Sequence, residues 1–475
     1  MMRVLFFKEI REAFASRRFW VILALCLVLI PLGVEVSFKD YQTRLQNYRE
    51  AVRIYQEETK QIQDILYKEG AKAFSPPSPL GFLSRGLELV LPNIAETPSR
   101  RTDPPVGMRL GNNQGRDNLY EFFYGPLDLI FIVGVVMSFL AIILTYGAIA
   151  GEKEQGTLRQ ILSSPVPRAK IILAKATANG LVLIIPFLLA LTLSLTVLEI
   201  QGGPLTALGG AWTSVGLAIL VSVLFIGAFF NLGLLVSALT KQAVPALITL
   251  LLAWVFLYGV YPRLSSAAAQ VLYPVKSEAR VALEKAQARR NIEKERDAEI
   301  DRMLRTLPDP GKNWESPSVK EGMKREDEIR KRCQARLEES WRTLDRDVEE
   351  RRRSRNALTA NIARISPVSC YVRPLAELSR TGWLEYKQFS TEVRQYEEVL
   401  NREIFNKQEV RHYGLVGIGI SNAANPHAPA PVFAYVQTPE DSIVRDILPD
   451  VALLFLFNLV FFAGAFAAFL GYDVR

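Results

Sequence analysis

Long apolar runs separated by charged stretches divide the sequence into alternating segments. A helix needs about 20 apolar residues to cross a bilayer. Six runs meet this requirement or come close to it: residues 19–36, 126–150, 169–198, 208–238, 243–261 and 450–471. Two long intervals, residues 37–125 and 262–449, carry many charged residues at helical spacing. The pattern predicts an all-α polytopic membrane protein with six transmembrane helices and two mainly helical insertions.

The distribution of lysine and arginine orients this predicted topology. The short turn at residues 199–206 contains neither, whereas the segments on the other side of the predicted membrane contain Arg3, Lys8, Arg11, Arg17, Arg18, Lys153, Arg159, Arg168, Lys170, Lys241 and Arg475. Short loops rich in these residues stay in the cytoplasm. We therefore expect both termini inside the cell, residues 1–18 as an amphipathic interfacial helix and residues 472–475 as a tail. Both insertions are then expected to be extracytoplasmic domains.

The larger insertion contains a predicted helical hairpin. Residues 276–306 form a highly charged helix, and prolines at 308, 310 and 317 mark a turn. The next helix carries an apolar stripe made of Ile329, Cys333, Leu337, Trp341, Leu344 and Val348. The two helices are expected to project about 45 Å, with the arginines at 351–353 on a solvated face.

Composition and motifs restrict the possible functions. The formal charge of +8 could indicate nucleic-acid binding, but part of the excess lies at the first span and the rest is mixed with Glu and Asp. Membrane orientation explains it better. The sequence has no GxxxxGK[ST], HExxH or GxSxG motif. We therefore expect no catalytic, cofactor-binding or metal-binding residues, and a chain that is not an enzyme by itself.

Three cysteines and a few polar or small residues in the spans invite specific predictions. Cys333 and Cys370 both fall in the larger insertion, where they could form a disulfide or remain free thiols. Asn179, Asn231 and Asn458 are expected to form hydrogen bonds between spans rather than to contact a substrate. In the last span Gly464, Ala468 and Gly471 form a small-residue pattern that suits close helix packing, either within one subunit or between two.

The polar segment at residues 151–168 connects two spans and forms the centre of this organisation. Its periodicity predicts a short helix with an apolar face, ended by Pro165. Exposed apolar residues on a helix held between two spans are suited to docking in another protein's groove. The predicted contact consists of Glu152, Glu154, Thr157, Leu158 and Ile161.

This segment also resembles a known family. Residues 151–158 read Gly-Glu-Lys-Glu-Gln-Gly-Thr-Leu, and Ser163-x-Pro165-Val166-x-Arg168 and Lys175 follow. This pattern resembles the first cytoplasmic loop of type-2 ABC exporter permeases, where a coupling helix rests on the ATPase subunit. Ser366-Pro367 and Leu378-x-x-Thr381-Gly382 resemble a subgroup of that family with large extracytoplasmic insertions.

The resemblance implies a permease subunit that exports an unidentified substrate. Its partners would be a cytoplasmic ABC ATPase, which binds ATP and Mg, a second copy of the chain or a related permease, and membrane lipids. Two alternatives remain open at this point. One is a mechanotransmitter that acts on an extracytoplasmic protein without passing a substrate, and the other is a membrane-anchored scaffold.

Overall fold

Six long apolar helices form the membrane part of the protein. The computed structural model describes residues 11, 14–61, 64–65, 70–96, 109–110, 125–163, 167–202, 212–306, 317–404, 412–413, 417–418 and 429–472. Among these residues, the helices that are long and apolar enough to cross a membrane are α1 (Arg17–Glu58), α2 (Leu129–Glu154), α4 (Arg168–Ile200), α5 (Trp212–Leu239), α6 (Ala243–Leu272) and α11 (Glu440–Leu470). The prediction of an all-α polytopic membrane protein with six spans is confirmed.

Further helices and short strands fill the intervals between the spans. The helices are α3 (Thr157–Leu162), α7 (Glu278–Thr306), α8 (Pro317–Ala363), α9 (Pro367–Leu378) and α10 (Trp383–Ile404). Strands β1 (Lys72–Phe74), β2 (Ile94–Glu96) and β3 (Arg109–Leu110) form an antiparallel sheet, and β4 (His412–Tyr413) pairs with β5 (Gly417–Ile418). Most of the predicted interfacial helix (1–10 and 12–13) and most of the predicted tail (473–475) lie outside the described residues.

Helix α5 occupies the centre of the bundle and packs most extensively against α11. Asn231 on α5 donates its side-chain amide to Asn458 Oδ1 on α11 at 2.9 Å, and Asn458 Nδ2 donates to Leu224 O at 2.8 Å. The predicted hydrogen bonding between these spans is confirmed. Gly464 packs against Leu235 of α5, so it contributes to packing within one chain. Ala468 is half-buried against the same core, and Gly471 ends α11.

Helices α7 and α8 form the predicted hairpin. Ile329, Cys333, Leu337 and Val348 of the apolar stripe are buried, and Trp341 donates its indole N–H to Lys285 O at 3.3 Å. Exposed ion pairs join the two helices, among them Lys285 to Asp345 at 2.7 Å and Arg336 to Glu295 at 3.0 Å. The arginines at 351–353 form further exposed ion pairs, as expected of a solvated face. Each exposed pair stabilises the hairpin little.

Of the two alternatives for Cys333 and Cys370, a disulfide or free thiols, the structure has free thiols, because both cysteines are unbonded and buried. Cys333 lies 30 residues before the end of α8 at Ala363. At 1.5 Å per residue this places it about 45 Å along one continuous helix from Ala363. Cys370 lies in α9, where its thiol donates to Arg364 O at 3.2 Å. Two cysteines must lie within about 7 Å between their Cα atoms to form a bond.

The two insertions share a second apolar core. Ala73 and Ala95 from the small sheet of the first insertion pack with Phe389 and Tyr396 of α10 from the second. Tyr396 donates its hydroxyl to Pro431 O at 2.9 Å, which holds an extended segment against this core. The sequence pattern predicts two separate extracytoplasmic domains. In the fold they form one unit, because pairing between segments hundreds of residues apart leaves no local pattern.

Glu377 links this unit to the bundle. Its buried carboxyl group predicts that the stability of the protein depends on pH. Its buried carboxylate accepts hydrogen bonds from the N–H groups of Trp383 (2.9 Å) and Leu384 (3.2 Å) at the start of α10. Burial raises the pKa of Glu377 from 4.5 to about 7, against the lowering effect of these two N–H groups. The folded state therefore holds its proton to higher pH than the unfolded state.

The resulting contribution to stability is fully present below the unfolded pKa of 4.5 and is lost as pH rises through the folded pKa of about 7. We expect the Glu377→Gln variant, which has no proton to lose, to show a smaller fall in Tm than the unmodified protein between about pH 5 and about pH 8. Thermal unfolding in detergent measures this, with exposed Glu339→Gln as the control. Identical pH profiles for Glu377→Gln and the unmodified protein would contradict the assignment.

Candidate functional site

The segment between α2 and α4 consists of two short helical pieces. The last part of α2, Ala150–Glu154, is followed by α3, Thr157–Leu162. Gly156 separates them with φ +73°, a left-handed conformation that glycine adopts without steric cost. Residues 164–166, including the predicted helix-ending Pro165, lie outside the described residues. We call residues 150–163 the loop and this side of the bundle the loop end; the other side is the insertion end.

A serine on α5 fixes the point where the loop leaves α2. The N–H groups of Ile149 and Ala150 donate to Ser237 Oγ at 3.0 and 2.9 Å, and Ser237 donates its hydroxyl to Tyr146 O at 2.8 Å. Regular helical bonding is interrupted at residues 146–149. Because one hydroxyl replaces the missing partners, the break in α2 is tied to α5.

Glu152 points into the protein and pairs with a lysine of α4. Lys175 Nζ forms an ion pair and hydrogen bond with Glu152 Oε1. The Lys175 side chain is only 10% exposed and that of Glu152 is 23% exposed. A charge this well shielded from water depends on its partner. Glu152 therefore fastens the loop to α4 and presents little of its carboxylate to another protein.

Lys153 and Glu154 bind the ends of two neighbouring spans. Lys153 Nζ donates to Ala238 O and to Thr240 O (3.1 Å) at the carboxyl end of α5. Glu154 Oε2 accepts from the N–H of Ala243, the first residue of α6, at 3.0 Å. A cation at a helix carboxyl end and a carboxylate at an amino end both interact favourably with the helix dipole. The loop thus closes the gap between α5 and α6.

The carboxyl end of α11 is also held by a basic side chain. Arg168, the first residue of α4, donates from Nη1 to Leu470 O and Tyr472 O, both at 3.0 Å. The Lys153 ammonium lies 4.9 Å from the centre of the Tyr472 ring. The loop and its flanks therefore bind α4, α5, α6 and α11. Sequence reasoning missed these contacts, although basic residues close to span ends are a signal for them.

The apolar face proposed for α3 does not face solvent as expected. Leu158 is fully buried within the chain, so the argument that it needs an external groove is wrong. Helix α3 packs against the bundle, which supplies the apolar surroundings of Leu158. The side chain of Ile161 lies outside the described residues. Exposed positions on the loop are instead Glu154, Gln155, Gly156, Thr157, Arg159, Gln160 and Ser163, of which only Glu154 and Thr157 belong to the predicted contact.

No group of three or more potential metal-ligating side chains occurs in the part of the chain that the structure describes. The contacts of the loop consist of ion pairs, helix-end hydrogen bonds and apolar packing. These contacts join the loop to the neighbouring spans.

The family described as "ABC-2 family transporter protein" matches residues 3–304, more than half of the chain. The match includes the loop, the first five spans (α1, α2, α4, α5 and α6) and most of α7. It ends inside the larger insertion, so the resemblance to a subgroup with large insertions is not confirmed. No curated protein sequence matches the chain. With its six apolar helices and the loop between the second and third of them, the chain belongs to the ABC-2 family of transporter proteins.

Proposed function

We propose that the chain exports a substrate when an ATPase subunit docks on the loop and hydrolyses ATP. Family membership makes the chain a multi-pass membrane protein and a permease component of an ABC transporter, and implies an ABC ATPase partner. Coupling through residues 150–163 and the direction of transport are our inference. ATP and Mg would be bound by the ATPase, since the sequence has no phosphate-binding loop.

The observation that carries the proposal is the set of contacts between the loop and four spans. Lys175 joins the loop to α4, Lys153 to α5 and Glu154 to α6, while Arg168 and Lys153 reach the end of α11. Because the loop is short and bonded at each of these points, a displacement of α3 passes to several spans with little slack. A free turn between two helices would absorb such a displacement.

The exposed face of α3 and its preceding turn supplies the docking surface in this proposal. Thr157, Arg159 and Gln160 are exposed, and Arg159 offers a charge to a partner carboxylate. The lysines and arginines gathered at the loop end support a cytoplasmic position for this face. In this proposal the protein lies in the inner membrane of a prokaryote. A second permease copy would complete the transporter. The family match gives no support to the mechanotransmitter alternative.

Replacing exposed loop residues is expected to release the ATPase without disturbing the fold. The double variant Thr157→Trp/Arg159→Glu adds bulk and reverses a charge on the proposed contact. We expect the ATPase that co-purifies with the tagged chain to fall about tenfold or more, with a matching loss of permease-stimulated ATP hydrolysis, since misplaced charge opposes association strongly.

The matched control is Arg302→Glu, an exposed charge reversal on the hairpin helix α7. It is expected to leave both quantities unchanged. Normal co-purification and normal stimulation in the loop double variant, at unmodified levels in the membrane, would exclude this face of the loop as the docking surface.

A further inference from the structure

A buried carboxylate on α11 joins three parts of the insertion end. Asp450 is completely buried, with its Oδ1 accepting from Arg364 Nε at 2.7 Å and its Oδ2 accepting from Arg373 Nη1 at 2.6 Å. Arg373 also donates to Asp446, one turn earlier on α11. A buried carboxylate is stable only with such partners. Two guanidinium groups from different segments therefore converge on one side chain.

The two arginines lie in different parts of the larger insertion. Arg364 directly follows the last residue of α8, the 47-residue helix of the hairpin. Arg373 lies in the middle of α9, which is buried along most of its length. Each arginine thus connects α11 to a different element, and a change in the position of α11 at Asp450 reaches both.

Helix α9 occupies the space between the spans at the insertion end. The hydroxyl of Tyr371 donates to Leu129 O of α2 at 2.9 Å. The Tyr371 ring stacks on the ring of Phe225 of α5, with 4.4 Å between the two ring centres. Ser366, which caps α9, donates to Leu257 O of α6 at 3.1 Å. Because α9 touches α2, α5, α6 and α11, its position is set by these spans and by the Asp450 ion pairs.

The opposite end of α11 is held by the flanks of the loop. Arg168 binds Leu470 O and Tyr472 O there, and Lys153 lies over the Tyr472 ring. Asp450 and Leu470 are 20 residues apart in one continuous helix. This corresponds to about 30 Å, the thickness of the hydrocarbon core of a bilayer. One helix is therefore clamped by charged groups at both membrane faces.

We propose that α11 transmits movement between the loop and the insertion end, and that Asp450 is the positioning residue that passes it to the hairpin and to α9. The inference goes beyond ATPase docking and does not depend on it, since all the contacts lie within one chain. Coupling between distant sites acts in both directions. A disturbance at either clamp must therefore reach the other.

Hydrogen exchange of the full-length chain in lipid nanodiscs tests this in both directions. In Asp450→Asn we expect faster amide exchange at residues 364–378 and also at residues 150–163, by about fivefold or more at the distant site, the lower end of typical coupling. In Arg168→Gln we expect faster exchange at residues 150–163 and, at a distance, at residues 364–378. Asp345→Asn, which breaks an exposed ion pair in the hairpin, is expected to change neither.

Because one substitution is made at each end of α11, either variant by itself can test the proposal. If Asp450→Asn does not give a monodisperse protein, the Arg168→Gln variant alone decides the outcome. Exchange that rises only near the substituted residue, with unchanged exchange at the other clamp, overturns the proposal. This outcome is independent of whether the ATPase binds the loop, because neither the ATPase nor a transported substrate is present.

Discussion

Replacement of Lys175 by methionine is expected to destabilise the protein by about 3–5 kcal/mol, the usual cost of removing one partner from a buried ion pair. Lys175 is 8% exposed and pairs with Glu152, whose second carboxylate oxygen is already buried without a hydrogen bond. Methionine keeps the apolar stem but leaves this carboxylate without its cation. Thermal unfolding of the detergent-purified protein measures the effect.

Two further variants separate the ion pair from the general cost of changing α4. Lys170→Met changes an exposed lysine on the same helix and is expected to have a small effect. The double variant Lys175→Met/Glu152→Leu removes both charges and is expected to recover most of the lost stability, because no unpaired charge remains. Equal Tm values for Lys175→Met and Lys170→Met would contradict the buried pairing.

Features encoded by local spacing could be predicted from the sequence. Each span is a continuous apolar run, so its existence follows from length alone. The stripe containing Ile329, Cys333 and Leu337 repeats at helical intervals, and these residues are buried against α7. In both cases the relevant information lies within one helix.

Features that depend on distant residues could not be predicted in the same way. Leu158 looks exposed in the sequence because its own short helix cannot bury it, and only the folded bundle shows that other spans cover it. The pairing of Asp450 with Arg364 and Arg373 joins residues 86 and 77 positions apart. Charge alone does not identify partners at such distances, since the insertion contains many arginines with other carboxylates nearby.

The loop shows both situations within residues 152–159. Its residue types suggest a docking helix, and the location of α3 between two spans agrees with that. The individual roles differ, because Glu152 and Lys153 bind spans of the same chain while Thr157 and Arg159 face solvent. Residues that hold a transmission element in place and residues that receive a partner are interleaved in the sequence. Only their side-chain contacts distinguish them.

Replacing Gly233 by alanine is expected to destabilise the protein by roughly 3 kcal/mol, at the upper end of the usual overpacking range. A β-carbon at this position would overlap with Thr145 Oγ1 on α2. Thr145 is fully buried and its hydroxyl donates to Ala141 O at 2.6 Å, so the side chain has no room to withdraw. Glycine therefore permits the close approach of α2 and α5 just before the loop begins.

The effect of Gly233→Ala on stability should change from destabilising to stabilising when the Thr145 side chain is removed. In a Thr145→Gly background, Gly233→Ala is expected to stabilise the protein by about 1 kcal/mol, because alanine favours a helix more than glycine does. Gly216→Ala provides a matched control on the same helix, since no atom lies within 4 Å of its added β-carbon. Thermal unfolding of the unmodified protein, Thr145→Gly, Gly233→Ala and their double variant gives the coupling energy between positions 145 and 233. If Gly233→Ala is as harmless as Gly216→Ala, α2 and α5 do not approach each other as closely as the structure shows.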